Sequence, residues 1–188
     1  VVKFGTDGWR GIIADDFTFA NVRVAASAIA HYVLKHEDAS HGVCIGYDTR
    51  FGSRAFAQAC TEVVAATGIP VLLANDITPT PALSYGVRGN GAAGGIMITS
   101  SHSPAQWNGV KYKAWYGGSG KPSIITDIES HLGQPVSRCA QPAAIEEFDF
   151  LPAYLTAIES FADLDMIARS GKKFAIDSMY GAGLTIIS

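Results

Sequence analysis

"GGIMITSSHSPAQWNGVKYK", residues 94–113, carries both the fold and the functional question of this chain. Its opening, Gly94–Ile98, is a short apolar run next to glycines and turn residues, the pattern of a strand buried on both faces. The run empties into Thr99-Ser100-Ser101-His102-Ser103-Pro104, a loop of hydroxyls closed by a proline. Asn108-Gly109 then reads as a tight turn, with Lys111 and Lys113 just beyond it in a second strand-like run, residues 110–116. A rigid strand feeding a hydroxyl loop, with cations downstream, is an arrangement that suits an anion.

Strand and helix patterns alternate on either side of this stretch. Apolar residues at Val22, Ala25, Ala26, Ile29, Tyr32 and Val33 have helical spacing, with Thr18 as the N-cap. Residues 42–48 and 69–76 read as buried strands, and 53–68 as a helix stopped by Gly68. Prolines open two further helices, over 78–89 and 121–133. Residues 133–150 lose regular spacing and read as a linker, followed by a helix over 151–171 and a strand with a glycine turn over 172–183. The expected fold is a three-layer α/β/α sandwich with a mixed, largely parallel sheet. Residues 1–150 form one domain, and 151–188 open a second.

Composition narrows the function. The chain is 48% hydrophobic and 16% charged, enough apolar residues for a packed core. A net charge of -3 argues against nucleic acid as the main partner, and no apolar run approaches the ~20 residues of a membrane span. Cys44, Cys60 and Cys139 have no metal-ligand spacing and read as reduced thiols of a cytoplasmic protein. The start at Val1 and the end at Ser188, soon after a fresh strand-and-glycine motif, read as a piece of a longer protein.

Polar clusters fall where strands end, the edge at which α/β sheets collect ligands. In "FGTDGWRG" (4–11), glycines allow close backbone approach and Arg10 can grip an anion through two hydrogen bonds. "GYDTRFGSR" (46–54) sets Asp48, Arg50 and Arg54 at another strand end, as ligand contacts or as a salt-bridged loop. A phosphate on Ser101 would bring about -1.5 to -2 charges, to be met by Arg10, Arg50, Arg54 or Lys111. Composition alone favours an ordinary hydrophilic loop with a capping serine. His102 beside Ser101 suggests a hydrolase pair, but sequence neighbours seldom form one, and no G-x-S-x-G elbow is present. His31, His36, His41 and His131 show no grouping and read as surface or helix residues.

Taken in order, these clusters resemble the α-D-phosphohexomutase superfamily, which includes phosphoglucomutases, phosphomannomutases and phosphoglucosamine mutases. "FGTDGWRG", "GYDTR", the loop 99–104, "NGVK" (108–111) and "IDSMYGAG" (176–183) match its successive motifs. Ser100 and Ser103 stand where the family usually has alanine and asparagine.

The resemblance implies that phosphorylated Ser101 exchanges its phosphoryl group with a hexose phosphate through a bisphosphorylated sugar. It implies Lys111, Arg10 and His102 as further catalytic residues, and Thr99, Ser100, Asn108 and Gly109 as phosphate-binding ones. Asp48, Arg50 and Arg54 would support the loop. Mg²⁺ would be held through the Ser101 phosphate, with its other ligands outside this chain, and a sugar bisphosphate would act as activator. Family members have four domains, so the expected partners are a hexose phosphate and the remaining domains, and the chain alone is expected to be inactive. Trp9 tilts the sugar toward glucose or mannose over glucosamine. A non-catalytic binding module of the same fold is the other alternative.

Overall fold

In a computed structural model, which describes residues 2–5, 8–184 and 186, the chain builds one six-stranded sheet. The strands are β1 (Trp9–Ile12), β2 (Val43–Tyr47), β3 (Val71–Ala74), β4 (Gly94–Ile98), β5 (Trp107–Ala114) and β6 (Ile145–Phe148), in the order β1-β5-β4-β2-β3-β6. β4–β2, β2–β3 and β3–β6 are parallel, while β4–β5 and β5–β1 are antiparallel. The expected mixed, largely parallel sheet is therefore the one observed. β4 owes its apolar run to burial on both faces: Ile96, Met97 and Ile98 are sealed from solvent.

Register fixes what each face carries. Arg10 pairs with Gly109, Lys111 with Met97, and Met97 with Gly46. Residues two apart on a strand share a face, so Arg10, Lys111 and Thr99 point to the same side. Helix α3 (Thr80–Gly89) covers that side, with Leu83 packed over Gly46, and α5 (Leu151–Phe161) packs on α3. The opposite side is closed by α1 (Phe19–His36), α2 (Ser53–Ala66) and α4 (Pro122–Ser130). There Trp9 stacks on Phe17 at 4.9 Å, and Phe17 meets Phe56 edge-on at 4.8 Å. Thr18 caps α1 as its sequence position predicts, accepting from the Asn21 amide at 3.3 Å.

Several expectations change. The turn-rich opening contains β1, a strand that exists because β5 offers it an edge; Thr6 and Asp7 of the "FGTDGWRG" motif lie outside the described residues. The stretch read as a linker contains β6, which extends the parallel sheet beyond β3. The helix over 151–171 is two helices, α5 and α6 (Leu164–Arg169), because Asp163 turns its carboxylate onto the Met166 amide at 2.8 Å and starts the second. Residues 172–183 form no strand: the segment is largely exposed, and among the described residues no strand pairs with it. Thr185, Ile187 and Ser188, the end of the expected second domain, are outside the described residues. His131 is buried and stacks on His31 at 4.3 Å, so two of the histidines read as ungrouped are a pair.

Candidate active site

β2 runs through α2 to β3 on one side of it, and the chain then returns through α3 to β4 on the other side. The loops after β2 and β4 therefore diverge at a switch point of the sheet, where α/β folds leave a crevice at the carboxyl ends of the strands. The loop after β4 carries Ser101, and the loop after β2 carries Asp48 and Arg50. A cleft of 430 Å³ lies between them, walled by Asp48, Thr49, Thr80, Thr99, Ser101 and Tyr180.

The ladder runs past the end of β4 before the loop breaks away: the Thr99 amide donates to Gly109 O at 3.0 Å, and the Asp48 amide to Ile98 O at 3.1 Å. Thr99 then turns its hydroxyl back to accept from the Ser101 amide at 2.9 Å. Ser101 takes a φ of 52°, in the left-handed region that L-residues other than glycine seldom adopt. In that conformation its side chain is exposed, and its Oγ receives a hydrogen bond from Lys111 Nζ at 2.9 Å. Lys111 is itself only 6% exposed.

The approach of β1 to β5 depends on two glycines. A side chain at Gly8, whose φ is 114°, would strike the Val110 carbonyl and lie 2.9 Å from Lys111 Cα. A Cβ at Gly109 would lie 2.6 Å from Thr99 O and 2.8 Å from Trp9 O. The matched glycines of two motifs thus bring the Arg10 and Lys111 strands together. Arg10 is exposed on the site's side of the sheet, and no hydrogen bond or ion pair engages its guanidinium among the described residues.

Other expected site residues turn elsewhere. Asn108 is fully buried; its Nδ2 donates to Ser53 Oγ at 2.9 Å and its Oδ1 accepts from the Gly109 amide at 2.8 Å. It braces β5 against the start of α2 and has no surface for a substrate. Ser100 is sealed from solvent, so of the two neighbouring hydroxyls only that of Ser101 is open. His102 is exposed, and its side chain makes no hydrogen bond or ion pair among the described residues. Arg54 is exposed and lies toward Tyr47, whose hydroxyl burial pushes up and the Arg54 charge partly pulls back. Trp9 is a core residue on the far face, where it cannot touch a sugar. Ser53, missed in the sequence, joins Asp48 to Asn108 and is 1% exposed. Its only sequence signal is its place at the start of α2.

Among the described residues, no three His, Cys, Asp or Glu side chains converge to hold a metal ion. The described residues alone do not make a cage for the Mg²⁺ that the family resemblance implies. No helix is long and apolar enough to cross a membrane.

Fold and site together define an α/β/α domain that sets one open serine hydroxyl against a buried ammonium at the carboxyl edge of its sheet. Comparison with known proteins identifies the group. The family described as phosphoglucomutase/phosphomannomutase, alpha/beta/alpha domain I, matches residues 1–137, and the chain belongs to it, within the α-D-phosphohexomutase superfamily. A phosphoglucomutase of Staphylococcus saprophyticus is 35% identical over 80% of this chain and 27% of its own length. A phosphoglucosamine mutase of Levilactobacillus brevis is 31% identical over 98% of this chain and 42% of its own. A Thermus thermophilus crystal structure assigned as a phosphomannomutase superposes with a TM-score of 0.79 at 38% identity, over 89% of this chain and 37% of that one. The chain thus spans well under half the length of the relatives it matches.

Proposed function

We propose that Ser101 is the phosphoryl carrier of a phosphohexomutase acting on hexose 1- and 6-phosphates. The carrying observation is the 2.9 Å hydrogen bond from Lys111 Nζ to the exposed Ser101 Oγ at the mouth of the sheet. A phosphoserine attacked by a sugar hydroxyl loses its P–Oγ bond as the bond from phosphorus to the sugar oxygen forms. The electron pair stays on Oγ and takes a proton from Lys111 Nζ, while the hydroxyl proton leaves to water in the open cleft. The return step, from the bisphosphorylated sugar back to Ser101, reverses each transfer. Lys111 is thus general acid in one direction and general base in the other, a role closed to arginine, which stays protonated.

Arg10, exposed beside the same strand end, supplies charge to the phosphoryl oxygens. Phosphoryl transfer asks the protein mainly for placement and charge. Ser101 is placed by β4 and the left-handed turn, and the charge comes from two cations on one face of the sheet. Because its relatives are more than twice as long, the 188-residue chain alone is expected to turn over hexose phosphates far more slowly than they do.

The test is made in a polypeptide of the relatives' length that includes this chain. Incubation with a hexose bisphosphate should add one phosphate, found on the peptide carrying Ser101, and S101A should abolish both label and mutase turnover. Normal turnover by S101A would end this reading. A serine hydrolase would instead give Ser101 labelled by a fluorophosphonate probe. The structure favours that less, because among the described residues the Ser101 hydroxyl bonds Lys111 and no hydrogen bond joins it to His102.

A further inference from the structure

Arg50 is more deeply engaged with the hydroxyl loop than its place in the sequence suggests. Its Nη1 donates to Pro104 O at 3.0 Å and Trp107 O at 2.9 Å, and its Nη2 to Ser101 O at 2.7 Å and Ser103 O at 2.5 Å. Its Nε stands 3.5 Å from Asp48 Oδ2. The other Asp48 oxygen accepts from the Arg50 amide at 3.0 Å and from Ser53 Oγ at 2.9 Å. A guanidinium has five N–H donors. The four on its Nη atoms go to backbone carbonyls, and Nε is buried beside Asp48 in an ion-pair contact without a hydrogen bond, so no donor is open to a phosphate.

We propose that Arg50 is a positioning residue for Ser101 and not a phosphate ligand. Its fork grips the loop at residues on both sides of its bend, and so holds Ser101 in the left-handed conformation that sets Oγ on Lys111. Asp48 aims the fork, and Asn108 and Ser53 hold Asp48 against α2. Lysine cannot replace it, because one ammonium is a point donor and cannot span carbonyls from Ser101 to Trp107. The proposal builds on the phosphoryl-carrier reading for its consequence, but the clamp itself is a property of the loop and is measured separately.

Amide hydrogen exchange on the 188-residue chain tests the clamp. Both R50A and R50K should exchange about tenfold faster over residues 100–107, with the β2 and β3 peptides unchanged. Methylguanidinium should restore protection to R50A and leave R50K as it is. R50K protected to within about twofold of the wild type, or R50A unaffected by the added cation, overturns the clamp. If R50A unfolds, R50K, which keeps a cation beside Asp48, decides by the same criterion. Phosphoserine installed at 101 tests the second clause by ³¹P NMR. The phosphate titration should move in K111A, and adding R50A to K111A should move it no further; a further shift in the double variant as large as that of K111A makes Arg50 a phosphate ligand. Should S101A keep normal mutase turnover, the carrier reading falls while the exchange result stands.

Discussion

Gly109→Ala is the sharpest test of how the sheet builds the site. Gly109 sits in β5 between β1 and the exit of β4, paired with Arg10 on one side and accepting from the Thr99 amide at 3.0 Å on the other. The added methyl would lie 2.6 Å from Thr99 O, 2.8 Å from Trp9 O and 3.2 Å from Arg10 Cγ. The arginine stem can swing away, but the two carbonyls belong to the flanking backbones. Each must retreat by roughly 0.6–0.8 Å to reach ordinary contact, which spreads the strands where their ladder holds the hydroxyl loop.

Overpacking of this kind costs about 1–3 kcal/mol, and backbone on both sides puts this case at the upper end. About 3 kcal/mol corresponds to a fall in Tm of roughly 6–12 °C for a domain of this size. Thermal melts followed by circular dichroism measure it directly, with urea titration giving the free energy. Gly89→Ala is the control: it lies at the end of α3 with nothing within 4 Å of the new methyl, so it should be neutral or raise stability by about 0.5–1 kcal/mol. A G109A chain that melts within about 2 °C of the wild type would refute the steric reasoning.

Asn108→Ala should destabilise the chain by about 1–3 kcal/mol, because it leaves the buried Ser53 hydroxyl and the Gly109 amide short of a partner; urea titration reads it. Burial pushes the Cys44 and Cys60 thiols up to about 12, whereas Cys139 is exposed, so a disulfide reagent at pH 8 should modify one thiol in the folded chain and three after denaturation. Burial pushes the Asp127 carboxyl up, but Lys35, His36 and His131 more than offset it and hold the group below the usual aspartate value. A depressed carboxyl lends stability above its unfolded value and loses it as pH falls through the folded one. D127N should therefore melt lower than the wild type at pH 7, with the gap closing below about pH 4.

The parts of the fold that were legible in the sequence are those whose pattern comes from their own burial. β4, with Ile96, Met97 and Ile98 buried on both faces, could only be an apolar run, and α1 carries its stripe from Val22 to Val33. β1 and β6 are strands because a neighbour lends them an edge. "WRGI" contains a glycine and a charge, and "IEEF" carries two exposed glutamates that suit an outer edge. Neither alternates in a way that hydrophobic period could detect. The site was legible as a set of loops and not as a set of contacts. Asn108 and Arg54 are polar residues inside matched motifs, yet one faces Ser53 and the other lies toward Tyr47. A side chain's type says that it needs a partner; only the packing says whether that partner is backbone, another side chain or a ligand.

The division of labour between the cations follows from topology. Lys111 comes from β5, antiparallel to β4, so its side chain travels up beside the strand that delivers Ser101 and meets the hydroxyl side-on. Arg50 comes from the end of β2, which parallels β4 and stops level with it, so its side chain meets the loop's carbonyls instead. Exchanging the two residues would put a point charge where a fork spans four carbonyls, and a group that never deprotonates where the proposed transfer moves a proton. The antiparallel neighbour is the one whose ammonium reaches the serine hydroxyl, and the parallel neighbour is the one whose guanidinium binds the carbonyls of its loop. A sheet with β5 parallel to β4 would lose that distinction even with every motif intact.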